Sequence, residues 1–272
     1  MAQMISVTAL SAYLYCRRKL YLEQVLGLKE VPKETVIVGK IRHNVYDLVN
    51  RQEKGIVLSI HENNIDQIEE KYKTNYSNNL KNSIKLNKTL LHNLKFNLSD
   101  VYRQLWPTFL EEARIRAAAL RGFVEKNKIF GPKLWERLTP KIESEVFVSS
   151  KELELKGKID RIEKHDDKIV PIELKTGKAP RESVWEGHLI QIGAYMMLLE
   201  EQFQKPVNDG MVEYLTEKIK RPVKMNPFLK NDIMKLKEEV KELLASDKLP
   251  EITENKNKCK ICGLRDECYR LN

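Results

Sequence analysis

One stretch of the sequence, GKIDRIEKHDDKIVPIELKTG at residues 157–177, constrains the fold more than any other. It links two runs of residues with strand character, 153–162 and 169–176, through the four polar residues 165–168. This arrangement predicts an antiparallel hairpin with a short polar connection. A chain built around such a hairpin needs a sheet at its centre. The residue types of the two strands indicate which functional side chains lie on that sheet.

Three charged side chains lie on the hairpin. Glu173 and Lys175 are two positions apart on the second strand, so they point to one face and Leu174 points to the other. Asp160, on the neighbouring strand, can share the face of Glu173. Two carboxylates suit Mg²⁺ or Mn²⁺, with the backbone carbonyl of Leu174 as a further ligand. An adjacent lysine can stabilise an attacking hydroxide or the charge that develops on a phosphoryl group.

A solvated hairpin face is the alternative interpretation, because Asp, Glu and Lys are common there and short motifs match by chance. Val170, Ile172 and Leu174 argue against it, since they make one side of the second strand apolar. This pattern predicts a core strand, where charged side chains are unfavourable unless they are paired. The sequence therefore favours a metal-binding site on the hairpin over a solvated surface.

The order of motifs in this region resembles the PD-(D/E)XK nuclease superfamily and, within it, the RecB-like branch. The matching residues are Asp160 in GxxD, Glu173 and Lys175 in ExK, and Gln191 and Tyr195 in QxxxY. The resemblance implies an α/β fold of the restriction-endonuclease type, with a mixed central sheet flanked by helices. It also implies that Asp160 and Glu173 bind the metal and that Lys175 supports the nucleophile.

Gln191 and Tyr195 belong to a helix predicted over residues 184–203, where a spacing of four places them on one face. There they can contact a phosphate or stack on a base, and the resemblance implies that they position the substrate. The alternative is that Tyr195 is a core aromatic residue and Gln191 a surface polar one.

A GxxxH pattern formed by Gly39 and His43 lies on another predicted helix, residues 35–54, which ends at Gly55. A single histidine is more often structural than metal-binding. The RecB-like pattern nevertheless includes a histidine at this place, and the resemblance implies that His43 completes the set of metal ligands.

Four cysteines are divided between the two ends of the sequence: Cys16 near the start, and Cys259, Cys262 and Cys268 near the end. In a reducing compartment, C-x2-C near a chain end argues for metal binding rather than for disulfides. The arrangement resembles the CRISPR-associated RecB-like iron–sulfur exonuclease family. That resemblance implies one cluster bound by all four cysteines, with [4Fe–4S] preferred to [2Fe–2S], and a clip that joins the N- and C-terminal segments.

Two alternatives stay open for the cysteines. Zn²⁺ can bind the same four thiolates, and Cys16 taken alone would be a small core residue. Cys16 falls inside an amphipathic helix predicted over residues 5–25 and is followed by the basic triplet 17–19. That triplet either contacts phosphate or forms a solvated face.

The remaining sequence predicts mostly helices. A strong helix signal begins with Pro107, placed in its first turn, and further patterns predict a strand over 142–150, a hairpin over 211–225 and a last helix from Asn226 to about Ser246. We expect one integrated nuclease domain made of four segments. These are the N-terminal helices at 1–58, a helical insertion at 59–135, the nuclease core at 136–250 and the cysteine-rich tail at 251–272. The insertion either lines a DNA channel or covers the core.

Composition agrees with a nucleic-acid partner. The 272 residues include 48 Lys and Arg against 39 Asp and Glu, a net charge of +9, with 42% hydrophobic and 32% charged residues. This composition is typical of a globular protein, and the positive net charge suits a polyanionic partner. A proteome whose proteins are generally basic would give the same net charge. No apolar run approaches the roughly 20 residues that span a bilayer, and the start lacks signal-peptide features. We therefore expect a cytoplasmic protein without a membrane partner.

These observations together favour a metal-dependent deoxyribonuclease that uses Mg²⁺ or Mn²⁺. The family resemblance implies exonuclease action and an iron–sulfur cluster as a further cofactor. The family resemblance implies single-stranded DNA ends as the substrate, and prespacer trimming beside the CRISPR integrase as the context. The alternative is a non-catalytic or weakly catalytic DNA-binding iron–sulfur subunit of a repair, recombination or spacer-acquisition complex. The intact set of Asp160, Glu173, Lys175, Gln191 and Tyr195 argues against that alternative, because an inactive site need not keep these residue types.

Overall fold

A computed structural model describes residues 4–30 and 34–271. The chain divides into two compact units. The described residues of the first unit are 4–30, 145–163 and 167–271, and those of the second unit are 34–144 and 164–166. The division into four predicted segments stays a prediction.

The first unit is built on a mixed sheet that has six strands among the described residues. The strands are β1 (Ile5–Ser6), β2 (Lys141–Ser150), β3 (Leu155–Lys164), β4 (Ile169–Lys175), β5 (Asp209–Tyr214) and β6 (Ile219–Lys224). Their order is β1-β3-β4-β5-β6, and β2 also pairs with β3. β1 is parallel to β3 and β4 to β5, whereas β5 and β6 are antiparallel. The four-residue connection between β3 and β4 is far too short for a parallel crossover, so this pair is antiparallel.

Helices make up most of the remaining structure. They are α1 (Val7–Tyr15), α2 (Arg17–Gln24), α3 (Glu34–Leu58), α4 (Ile68–Leu86), α5 (Lys88–Asn93), α6 (Leu98–Asn127), α7 (Gly131–Arg137), α8 (Glu186–Phe203), α9 (Pro227–Ala245), α10 (Lys256–Lys260) and α11 (Arg265–Arg270), together with a 3-10 helix at Glu62–Gln67. No helix of the described part of the chain is both long and apolar enough to cross a membrane. The prediction of a mixed central sheet flanked by helices is confirmed.

Helix α8 lies at the centre of the first unit. It packs against α1, α9, β4 and β5, and its residues 190–199 are all buried. A helix that is apolar around its whole circumference belongs in a core. The polar residues Gln191 and Tyr195 are buried with the rest of this segment, so their polar atoms need partners inside the protein.

The single helix predicted over residues 5–25 is wrong. The chain first forms β1 and then two helices that are separated at Cys16, whose backbone is extended with φ −165° and ψ 108°. The Cys16 sulfur accepts the backbone N–H of Lys19 at 3.4 Å and so caps α2. Hydrophobic periodicity continues across the break, which is why the sequence pattern alone did not reveal it.

Most of the described residues of the second unit are helical, and α4 packs against both α3 and α6. Its core includes stacked or edge-on aromatic contacts among Tyr46, Tyr76 and Phe109. The predicted helix start at Pro107 is wrong, because α6 begins at Leu98 with the Asn97 side chain as its cap. Burial of the apolar face of α6 offsets the hydrogen bond that proline removes.

Candidate active site

The residues of three predicted motifs meet in one open cavity of about 710 Å³ in the first unit. Asp160 comes from β3, Glu173 and Lys175 from β4, and Gln191 and Tyr195 from α8. Val170, Ile172 and Leu174 are buried, which confirms that β4 is a core strand. The sheet and the central helix therefore bring together residues that are spread over the sequence.

Glu173, Lys175 and Gln191 form a closed ring of hydrogen bonds. Glu173 Oε1 accepts from Lys175 Nζ at 2.7 Å and from Gln191 Nε2 at 2.6 Å, and Gln191 Oε1 accepts from Lys175 Nζ at 2.9 Å. Glu173 is only 4% exposed. A buried carboxylate is unfavourable unless a cation and hydrogen-bond donors compensate it, and this ring provides both. The amide of Gln191 thereby fixes the orientation of both charged groups.

Asp160 is joined to the same strand through the backbone. Its Oδ2 accepts the N–H of Leu174 at 2.8 Å, so the carboxylate is held next to the residue that separates Glu173 from Lys175. Asp160 is half-buried and lines the cavity. The Leu174 carbonyl as a metal ligand stays a prediction.

Tyr195 ties α8 to β3. Its hydroxyl donates to the backbone carbonyl of Lys158 at 2.9 Å, and the side chain is 1% exposed. Burial, with a further contribution from Glu173, raises the pKa of Tyr195 well above its usual value, so the hydroxyl stays a donor. Tyr195 is thus a core aromatic residue that also lines the cavity, whereas the alternative of a surface Gln191 is wrong because that side chain is buried. Substrate positioning by the pair stays a prediction.

His188 is a further residue of α8 with a shifted pKa, and its imidazole is neutral at pH 7. Its Nδ1 lies 3.0 Å from the Tyr214 hydroxyl. Burial, and to a smaller degree the positive charge of Lys175, lowers the pKa of His188 from 6.5 to about 4. Sequence reasoning missed this residue because no motif contains it.

His43 lies half-buried on α3 of the second unit, four residues after Gly39. Its place among the metal ligands stays a prediction.

Glu145 is a further acidic residue that sequence reasoning missed. One of its carboxylate oxygens lies within 4.8 Å of a carboxylate oxygen of Asp160, and it forms an ion pair with Lys158. The residue has a positive φ of 55° within β2, and such a local departure from the regular strand re-aims side chains. Simple alternation along IESEVFVSS could not reveal this orientation.

The four cysteines line a second cavity of the first unit. Cys16 comes from the break between α1 and α2, Cys259 from α10, Cys268 from α11, and Cys262 from the turn between α10 and α11. The sulfur atoms are thus gathered from both ends of the sequence. Burial raises the pKa of the Cys262 thiol.

Arg18 holds the C-terminal tail in this arrangement. Its guanidinium donates to Cys268 Sγ at 3.2 Å and to the carbonyls of Pro250 at 2.6 Å and Cys268 at 2.9 Å. Arg18 is 3% exposed, so it neither contacts a phosphate nor belongs to a solvated face. Three more cationic residues, Lys19, Lys258 and Arg265, line the cavity with it. The cysteine cavity therefore carries several cationic side chains beside its sulfur atoms.

Comparison with known proteins gives several partial relatives. The CRISPR-associated exonuclease Cas4/endonuclease Cas1 fusion of Leptospira interrogans is 32% identical over 148 residues, 51% of this chain and 27% of the relative. The CRISPR-associated exonuclease Cas4 of Francisella tularensis subsp. novicida is 27% identical over 121 residues, 44% of this chain and 59% of the relative. The human DNA replication ATP-dependent helicase/nuclease DNA2 is 34% identical over 137 residues, 42% of this chain and 12% of the relative.

The aligned part of this chain therefore covers between 12% and 59% of the length of these three relatives. One family model, described as the PD-(D/E)XK nuclease superfamily, matches residues 4–269. Because this match extends over nearly the whole chain and over every motif described above, the chain belongs to the PD-(D/E)XK nuclease superfamily.

Proposed function

We propose that the protein is a metal-dependent DNA exonuclease that hydrolyses phosphodiester bonds at single-stranded ends. The observation that carries the proposal is the hydrogen-bonded ring of Glu173, Lys175 and Gln191 beside Asp160. A purely structural ion pair has no need of an open cavity of about 710 Å³ next to it. Membership of a nuclease superfamily supports a phosphodiester as the substrate.

The side chains of the site fit a hard divalent cation. Asp160 and Glu173 offer carboxylate oxygens to one cavity, and such oxygens are the ligands that Mg²⁺ and Mn²⁺ prefer. His43 and the carbonyl of Leu174 are the further ligands that we propose. When bound there, the metal supplies charge stabilisation at the phosphoryl group and lowers the pKa of a bound water.

The protein groups around the metal have separate roles in this proposal. The ammonium group of Lys175 holds the attacking water and offsets the negative charge that develops in the transition state. Gln191 keeps Lys175 and Glu173 oriented through one hydrogen bond to each of them. Tyr195 fixes β3 through the Lys158 carbonyl and thereby the position of Asp160 two residues later.

An iron–sulfur cluster is the cofactor that we propose for the cysteine cavity. In a tetrahedral zinc site the sulfur atoms lie about 3.8 Å apart, because each Zn–S bond is about 2.3 Å. Among the described residues, the only group of at least three His, Cys, Asp or Glu ligand atoms within 4.8 Å of one another contains no cysteine. No three of the cysteine sulfur atoms, all of which lie in the described part of the chain, are therefore mutually within 4.8 Å, although the four cysteines line one cavity. This favours a cluster in our proposal, because the inorganic core of a cluster holds its thiolates further apart than a single Zn²⁺ does.

The relatives support a context for this nuclease. One of them joins an exonuclease named Cas4 to an endonuclease named Cas1 in a single chain. We propose that the present protein trims prespacers during CRISPR adaptation and works beside the CRISPR integrase. The test is co-purification with a co-expressed CRISPR integrase from the same organism, using a Lys175→Ala variant as an inactive form that should still bind the partner.

Digestion of end-labelled DNA tests the nuclease proposal. Purified protein is incubated with single-stranded and blunt double-stranded DNA in Mg²⁺, Mn²⁺ or EDTA. We expect metal-dependent shortening of the single strand, and a loss of at least about 100-fold in rate for Asp160→Asn and for Lys175→Ala. Lys235→Ala, an exposed lysine of α9, is the control and should keep full activity. Wild-type cleavage rates in Asp160→Asn and Lys175→Ala would overturn the assignment of the site.

A further inference from the structure

We infer that a single DNA strand lies along β3 in the active-site cavity, with a phosphate on Lys156 and an unpaired base stacked on Phe147. The inference rests on the proposed function and specifies which residues make this site selective for single strands. Neither residue belongs to any motif of the nuclease site, and both line its cavity.

Three side chains form a row along β3. Lys156, Lys158 and Asp160 alternate with the more buried residues of the strand and line the cavity together. Successive side chains on one face of a strand are about 6.6 Å apart, which is similar to the separation of neighbouring phosphates in an extended strand of nucleic acid. A chain of phosphates can therefore follow β3 and reach Asp160 in register.

The two lysines of this row differ in their partners. Lys158 forms an ion pair with Glu145, whereas Lys156 is exposed and forms no ion pair with any residue in the described ranges. An unpaired ammonium group near two catalytic carboxylates favours an anionic ligand, and contacts of lysine with phosphate are the main source of affinity for nucleic acids. Lys156 is thus the cation of this row that is available to the backbone of the substrate.

Phe147 lies on β2, the strand that pairs with β3, and is 63% exposed. Isolated exposed apolar residues are normal on protein surfaces. Phe147 differs because it lines a cavity whose other residues include lysines, carboxylates and hydroxyl-bearing side chains. An aromatic ring beside a basic groove is the usual platform for an unpaired base.

Another part of the cavity lining carries hydroxyl groups from the start of the first unit. Ser6, Thr8 and Ser11 lie there, and the Ser6 and Thr8 hydroxyls are 3.2 Å apart. Such hydroxyls bond phosphate and sugar oxygens without selecting a sequence. Lysine, hydroxyl and aromatic groups together suit a single strand of nucleic acid, because its bases are not paired and are free to stack on a protein side chain. A base in a duplex cannot stack on Phe147 without being unpaired first.

The experiment measures binding separately from cleavage. Fluorescence anisotropy in EDTA gives the Kd of a labelled single strand and of a blunt duplex for the wild type, Phe147→Ala and Lys156→Gln. Two exposed residues of α9, outside the cavity, provide matched controls of the same types: Phe228→Ala and Lys235→Gln. Phe147→Tyr keeps an aromatic ring and serves as the variant that should bind like the wild type.

We expect Phe147→Ala to raise the Kd for the single strand by about 5- to 140-fold, the usual range for loss of one stacked base. The Kd for the duplex should stay within about twofold. Lys156→Gln should reduce the slope of log Kd against log salt by about 0.7 for the single strand. Scanning one abasic nucleotide along the strand should reveal a position that weakens binding to the wild type and leaves Phe147→Ala unaffected.

Results that differ from these expectations distinguish failure of the inference from failure of the proposed function. Tight single-strand binding that is equal in Phe147→Ala and Phe228→Ala overturns the inference and leaves the proposed nuclease function standing. An equal loss for single strand and duplex also overturns the stacking role. A wild type that neither binds nor cleaves DNA overturns the proposed function itself. Melting curves by circular dichroism confirm that the variants are folded, and failure of Phe147→Tyr to bind contradicts the inference even if Phe147→Ala cannot be purified.

Discussion

The α-carbon of Gly157 faces the ring of Tyr195 so closely that a Cβ at position 157 would lie 2.7 Å from Cε1 of that ring. Val7 would lie 3.2 Å away on another side. The glycine of GxxD is therefore needed for packing, because it lets the sheet approach the helix that carries QxxxY. The same approach allows the Tyr195 hydroxyl to reach the carbonyl of Lys158.

Gly157→Ala should lower the free energy of unfolding by about 1–3 kcal/mol, because the added methyl group forces the strand and the aromatic ring apart. Cleavage should fall as well, since Asp160 follows three residues later on the same strand. Urea unfolding and the rate of strand shortening measure the two effects. Gly177→Ala is the control, as a Cβ there meets nothing within 4 Å. Equal stability of the two variants would show that the close approach is relaxed in solution.

Gln191→Glu should reduce activity more at low pH than at high pH. The substitution replaces an amide that donates to Glu173 at 2.6 Å by a second carboxyl group, and two adjacent carboxylates share a proton more readily than either does alone. The pH of half-maximal activity on the acid side should therefore rise. Gln191→Leu removes the hydrogen bonds without adding charge and is the comparison. A pH profile of kcat/KM that is the same for both variants would contradict the role assigned to the ring.

Cys16→Ser and Cys16→Ala should both lose the visible absorbance, iron and acid-labile sulfide of the purified protein, as Cys262→Ala should. Serine keeps the cap on α2, where the sulfur now accepts the N–H of Lys19, so Cys16→Ser should be the more stable by about 1 kcal/mol.

If the cluster joins both ends of the chain, its loss should lower stability by up to about 5 kcal/mol, by analogy with a disulfide that closes a very long loop. Melting temperature, iron and zinc content check this prediction. Full cluster content in Cys16→Ser would contradict a shared cluster.

His188→Gln should make stability less sensitive to acid. Folding lowers the pKa of His188 from 6.5 to about 4, so between these values the unfolded chain binds the proton and the folded protein does not. The free energy of unfolding therefore falls as the pH falls through this window, and His188 contributes to that fall. Glutamine keeps a group that can bond the Tyr214 hydroxyl but does not titrate. Thermal melts at pH 7 and pH 5 should show a smaller difference in Tm for the variant than for the wild type.

The sequence by itself determined the elements that local chemistry controls. Alternating apolar residues placed β4 in a core, and short polar or turn-forming segments predicted its hairpin with β3 and the hairpin of β5 with β6. The spacing of Asp160, Glu173 and Lys175, and the four-residue spacing of Gln191 and Tyr195, depend only on strand and helix periodicity. These patterns were sufficient to identify the PD-(D/E)XK nuclease superfamily, and the family model confirms that identification.

Only the tertiary structure decided which polar atoms meet. Periodicity predicted one helix across Cys16, but the chain breaks there because the sulfur caps α2 and faces the cavity of the other cysteines. Gln191 bonds Glu173 and Lys175 because α8 is buried against the sheet, and Glu145 approaches Asp160 because β2 departs from regular strand geometry. Such contacts join residues that are distant in sequence. They depend on how closely whole elements pack, which no local pattern records.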